Sequence, residues 1–134
     1  MTEPIRVAQI VGKMVGGGVE AVVMNYYRHI DRSKVQFDFL VDSDSTPVPR
    51  EEIESLGGRI FEIPPYQHAI EYQRELQSLF TQEGWKIVHS HINALSVFPL
   101  RAAKKAGVPV RIAHSHSTSG KGEFAKNALK GFLK

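Results

Sequence analysis

The chain has 134 residues, with 17 Lys and Arg against 14 Asp and Glu, a formal net charge of +3 and no cysteine. This length supports one domain, or part of a larger protein, with a substantial core, and a charged content of 23% excludes a wholly disordered chain. Disulfides, Cys-ligated zinc, iron–sulfur clusters and a thiol nucleophile are excluded with the cysteines, and a pI of about 9.3 is a weak nucleic-acid signal that suits anionic ligands or a membrane surface.

Ile5 to Val11 is apolar and rich in β-branched residues, which reads as a buried strand. The glycine-rich loop Gly12-Lys13-Met14-Val15-Gly16-Gly17-Gly18 follows. Apolar residues at Val19, Val22, Val23, Tyr26, Tyr27 and Ile30 then trace one face of a helix. Val35 to Val41 alternates Phe37, Phe39 and Val41 with Gln36 and Asp38, the period of a strand. A polar loop over 42–49 leads to a short acidic helix from Arg50 to Leu56, stopped by Gly57-Gly58. Arg59 to Ile63 reads as a third strand, closed by Pro64-Pro65, and Tyr66 to Glu83 as an amphipathic helix closed by Gly84. Lys86 to His89 predicts a fourth strand. Asn93 to Ala106 predicts a helix in which Pro99 demands a kink or a late start. Val108 to His114 predicts a fifth strand, and Gly120 to Lys134 has helical spacing.

Alternating strands and helices predict an α/β fold: a Rossmann-like, doubly wound parallel sheet covered on both faces. Ligands bind outside the carboxyl ends of such strands. Three polar features fall there: the glycine loop, His89-Ser90-His91, and His114-Ser115-His116. In the usual strand order the first, fourth and fifth strands are neighbours, so one site can contain all three.

Consecutive glycines admit close backbone approach by a ligand, and the helix that follows offers unpaired N–H groups and a positive dipole end. The loop fits neither G-x-x-x-x-G-K-[ST] nor G-x-G-x-x-G in any frame. The bland alternative is a tight turn that lets the helix pack closely. Strand geometry points His89 and His91 the same way, and likewise His114 and His116. Four imidazoles there can bind zinc, but no Asp or Glu lies close in sequence to orient them. Alternatively His89 and His114 are satisfied core residues, with His91 and His116 further out, toward the cleft. Ser90, Ser115, Ser117, Thr118 and Ser119 add hydroxyls that suit a sugar. Near the end, Lys126, Lys130 and Lys134 oppose Phe124, Ala128, Leu129, Phe132 and Leu133. That basic amphipathic pattern fits either an anionic membrane surface or a helix packed on the sheet.

The strand followed by Gly17-Gly18-x-Glu20 and a helix resembles the opening of family 4 (group 1) glycosyltransferases with the two-domain GT-B fold. Lys86-Ile87-Val88-His89-Ser90-His91 is similar to that family's D-x-V-H-x-H strand, with Lys86 replacing the usual acid. Arg111-Ile112-Ala113-His114-Ser115-His116 looks like its strand ending in a donor-contacting histidine. The nearest likeness is to bacterial enzymes of exopolysaccharide and capsule synthesis. The resemblance covers essentially the whole chain and implies that residues 1–134 are a truncated N-terminal, acceptor-side domain, with the C-terminal donor-binding domain and its Glu-x7-Glu motif absent. It implies a retaining, hexosyl-type transferase that takes a nucleotide-sugar donor and a carbohydrate or polyprenyl-linked acceptor. It further implies no cofactor and no metal. The cysteine-free composition fits a cytoplasmic protein, the mild charge argues for no nucleic-acid partner, and the basic end segment allows peripheral contact with the inner face of the membrane. By that resemblance His116 is the catalytic contact. Gly16, Gly17, Gly18 and Glu20 form the donor-phosphate or acceptor loop. His91, Ser90 and Ser117 line the acceptor side, and the fragment alone is inactive.

Two other classes stay open at this point. Asp42 and Asp44 follow the second strand, where dinucleotide-dependent oxidoreductases place a ribose-binding acid, although the glycine fingerprint is missing. The four histidines also allow a non-enzymatic metal- or ligand-binding module.

Overall fold

A computed structural model describes residues 3–12, 18–45, 48–65 and 67–114. The elements are β1 (Ile5–Gly12), α1 (Gly18–His29), β2 (Val35–Asp42), α2 (Arg50–Ser55), β3 (Arg59–Ile63), α3 (Ala69–Glu83), β4 (Ile87–Ser90), a 3-10 turn (Asn93–Ser96) that leads into α4 (Val97–Lys105), and β5 (Val110–Ala113). The five strands are all parallel, in the order β3-β2-β1-β4-β5. The predicted doubly wound α/β architecture is therefore present. The helical spacing from Gly120 onward lies outside the described residues.

The order follows from the connections. Through α1 and α2 the chain steps from β1 out to β2 and β3; α3 then returns it across the sheet to β4, and α4 carries it to β5. Right-handed crossovers place the two helix pairs on opposite faces. Two cores result. Val23, Met24, Tyr27 and Ile53 pack with Val7, Phe37 and Phe39 on one face. Tyr72, Leu76, Phe80, Leu100 and Ala103 pack with Ala8, Ile10, Leu40 and Val88 on the other. The strand order reverses direction between β1 and β4, which opens a crevice at their carboxyl ends.

Three boundaries differ from the sequence reading by two residues or more, each for a local reason. The helix expected from Tyr66 starts at Ala69. Pro64-Pro65 hold the chain out of helical geometry, and His68 N–H closes a turn on Pro65 C=O at 3.0 Å. The helix expected from Asn93 begins as a 3-10 turn and becomes α-helical at Val97, so Pro99 sits in the first turn, where its missing N–H costs nothing. The fifth strand starts at Val110 rather than Val108, because Val108 N–H caps α4 through Ala103 C=O at 2.9 Å and Pro109 has no N–H to offer.

The alternation in β2 marks no solvent face. Gln36, Asp38 and Asp42 are buried along with the apolar residues between them, as befits an inner strand with both faces covered.

Candidate functional site at the carboxyl ends of β1, β4 and β5

Gly12 ends β1 with φ of +65°, and a Cβ there would lie 3.1 Å from Ile92 Cγ2, in the segment after β4. Both the left-handed turn and the tight neighbour require glycine at this point. Gly18, the first residue of α1, is different: among the described residues, a Cβ added to it meets nothing within 4 Å. Close packing therefore accounts for Gly12 and leaves Gly18 unexplained, in open space at a helix N-terminus. Glu20 lies in the first turn of α1. Gly16 and Gly17 lie outside the described residues, as do His116 and Ser117.

Across the crevice, β4 continues one residue past its end through His91 N–H, which donates to Ile10 C=O at 2.9 Å, and His114 N–H donates to Ser90 C=O at 2.9 Å. These bonds fix the histidine backbones in strand register. His89 and His91 share the α1 side of β4, and His114 joins them from β5. Ring centroids are 4.0 Å apart for His89–His91, 5.3 Å for His89–His114 and 5.5 Å for His91–His114. His89 Nε2 and His114 Nδ1 are 3.2 Å apart, one ring donating to the other. His91 Nε2–H donates to Gln9 Oε1 at 2.6 Å.

The structure thus unites three of the four sequence-predicted histidines and inverts their expected burial. His91, expected nearest the cleft, is 5% exposed, whereas His89 and His114 are half-buried. Gln9, bonded to the ring of one of them, explains the difference. The sequence reading missed it, although a lone amide inside the apolar run Ile5 to Val11 is the signal that marks it. Ser90, expected on the acceptor wall, points to the opposite face. It is fully buried and its hydroxyl donates to Ser96 Oγ at 2.8 Å, so it braces the turn after β4 rather than lining the cleft.

A cavity of about 170 Å³ adjoins the three rings, lined by Gln9 and by Val22, Val23, Tyr26, Ile30 and Phe37. Its walls are apolar, so hydrogen bonds made inside it are strengthened by the low local dielectric. At the far end of β2, Asp42 is buried. Tyr72 is raised above the ordinary tyrosine range by burial first and by the charge of Asp42 second.

Among the described residues no helix is long and apolar enough to cross a membrane. The family model for the glycosyl transferase 4-like domain matches residues 17–133. A Bacillus subtilis (strain 168) protein named "Putative glycosyltransferase EpsF" is 42% identical over 122 residues, which is 89% of this chain and 32% of that protein. The chain therefore spans about a third of the length of this relative. No solved structure matches.

Proposed function

The chain belongs to the glycosyl transferase 4-like family, and from that premise we propose that it forms the acceptor-side half of the cleft in a two-domain, retaining glycosyltransferase. The reaction moves a hexosyl group from a nucleotide-sugar to a carbohydrate or polyprenyl-linked acceptor in bacterial polysaccharide synthesis, at the cytoplasmic face of the membrane. The observation that carries this reading is the strand order. The reversal between β1 and β4 brings the glycine turn and the histidine-bearing segments to one crevice, where α/β sheets bind ligands. The space around Gly18 supports approach of a phosphate to the N-terminus of α1. The α1 dipole and loop N–H groups stabilise the charge that develops on the leaving diphosphate, and His116 contacts the donor sugar. His91 positions the acceptor wall, and a second domain supplies the nucleotide site. The 134-residue chain alone is accordingly inactive.

The test is sugar transfer by the full-length parent, assayed across a panel of nucleotide-sugars. His116→Ala is expected to lower turnover by about 10²-fold, the scale of one lost donor to developing charge, with circular dichroism unchanged. Wild-type turnover in a folded His116→Ala parent overturns the assignment.

A further inference from the structure

We propose that His89, His91 and His114 form a site for one divalent transition-metal ion of the zinc class. This departs from the metal-free site expected from the sequence. One nitrogen from each ring lies within 4.8 Å of those of the other two. The 3.2 Å between His89 Nε2 and His114 Nδ1 is close to the roughly 3.3 Å that separates two nitrogens bound at 2.0–2.1 Å to one tetrahedral ion. A bound ion takes the place of the proton between the two rings, which moves to the other nitrogen of its own imidazole, so that both rings stay neutral and offer a lone pair to the metal.

The scaffold is rigid where a metal site needs it to be. Two ligands sit at i and i+2 on β4 and the third follows β5, with backbone pairing on both sides. The support absent from the local sequence is supplied from β1. Gln9, in register with His89, accepts from His91 Nε2–H. That bond fixes the tautomer, leaving Nδ1 as the lone-pair nitrogen, which is the usual role of an outer partner to a metal-bound histidine. Three neutral imidazoles without a carboxylate favour Zn²⁺, Co²⁺, Ni²⁺ or Cu²⁺ over Mg²⁺ or Ca²⁺. The adjoining 170 Å³ cavity, walled by Val22, Tyr26, Ile30 and Phe37, leaves room for water or a substrate oxygen at a fourth position.

The experiment uses the 134-residue chain, stripped with chelator, and needs no sugar donor, so its outcome is independent of the transfer assay. Zn²⁺ is titrated against a chromophoric competitor, and Co²⁺ is followed by its visible absorption. The expected result is one equivalent per chain and the intense bands of tetrahedral Co²⁺, with no competition from Mg²⁺. His91→Ala and His114→Ala are each expected to weaken Zn²⁺ binding at least 100-fold, and Gln9→Ala 10- to 100-fold. His29→Ala and His68→Ala, outside the cluster, are expected to leave it unchanged. Absence of stoichiometric Zn²⁺ binding by the wild-type chain overturns the proposal. So does undiminished binding by a folded triple variant lacking His89, His91 and His114.

Discussion

Two groups of polar side chains sit in the same sheet and have opposite characters. On β2, Asp38 is fully buried and takes charged or N–H donors on every side. Arg6 reaches its two oxygens at 2.7 and 3.0 Å, Arg59 at 2.7 and 3.2 Å, and Trp85 Nε1 at 2.8 Å. At the carboxyl ends of β1, β4 and β5, three imidazoles and an amide bond to one another beside a cavity. The first group is saturated and has nothing left to offer a ligand. The second is made of groups that exchange donor and acceptor roles, next to space. A buried polar group that is fully paired within the fold holds the fold together. One that borders a cavity and can change its protonation is poised for chemistry.

The sharpest way to break the comparison is Asp38→Asn. Burial raises the Asp38 carboxyl, but the hydrogen bonds from Arg6, Arg59 and Trp85 outweigh it and hold the group at about 2, against an ordinary 3.8. Removing one partner of a buried pair costs about 3–5 kcal/mol. The lower end, about 3 kcal/mol, is expected here, because Arg6 and Arg59 stay 32% and 44% exposed and water partly compensates them. Denaturant melts of the two chains give the difference. The pH dependence carries the same sign. A depressed folded pKa stabilises the protein fully above the unfolded value. That contribution is lost as pH falls from about 4 through 2. The variant is expected to show a flatter stability profile across that window. A profile parallel to wild type would mean that Asp38 is not the group responsible.

The same contrast explains what could be read before the structure. The helix stops were legible because periodicity and glycine are local signals, and the strand order followed from the usual topology of alternating strands and helices. The cluster of His89, His91 and His114 was legible in outline, since i and i+2 share a strand face and β5 is the neighbour of β4. Asp38 was not, because its partners are 32, 21 and 47 residues away and meet it only through cross-strand register, as in the pairing of Asp38 with Arg59. The burial order of the histidines escaped for the same reason. Gln9 lies 82 residues from His91, and nothing near either residue in sequence announces the bond. Ser90 was misjudged against that same alternation: with His89 and His91 on one strand face, the residue between them points to the other, where its hydroxyl meets Ser96 Oγ.

The next effect in size belongs to the fold-stabilising half alone. A Cβ on Gly58 would lie 2.5 Å from Tyr27 Oη, 2.8 Å from Ile53 Cγ2 and 3.0 Å from Phe37 C=O. The backbone oxygen cannot move aside, and Tyr27 is itself held by a 2.5 Å hydrogen bond to Gln36 Oε1. Gly58→Ala is expected to cost about 2 kcal/mol, within the range for overpacking. A neutral Gly58→Ala in a thermal melt would show that the first core yields more readily than its geometry indicates.

The smallest expected stability effect separates the two halves most cleanly. Gly18→Ala places a methyl in open space at the start of α1. Alanine is the better helix former, and it lowers the entropy of the unfolded chain. The stability change is therefore expected to lie within about 0.5 kcal/mol of zero, on the stabilising side. If Gly18 serves only the fold, transfer by the full-length parent is equally indifferent. If the open space exists for a diphosphate to approach the helix N-terminus, the same methyl obstructs it, and the Michaelis constant for the nucleotide-sugar rises while the melting temperature does not fall. Loss of stability without loss of donor affinity would move Gly18 to the structural side of the comparison, beside Gly12 and Gly58. Loss of donor affinity without loss of stability would place it with the crevice.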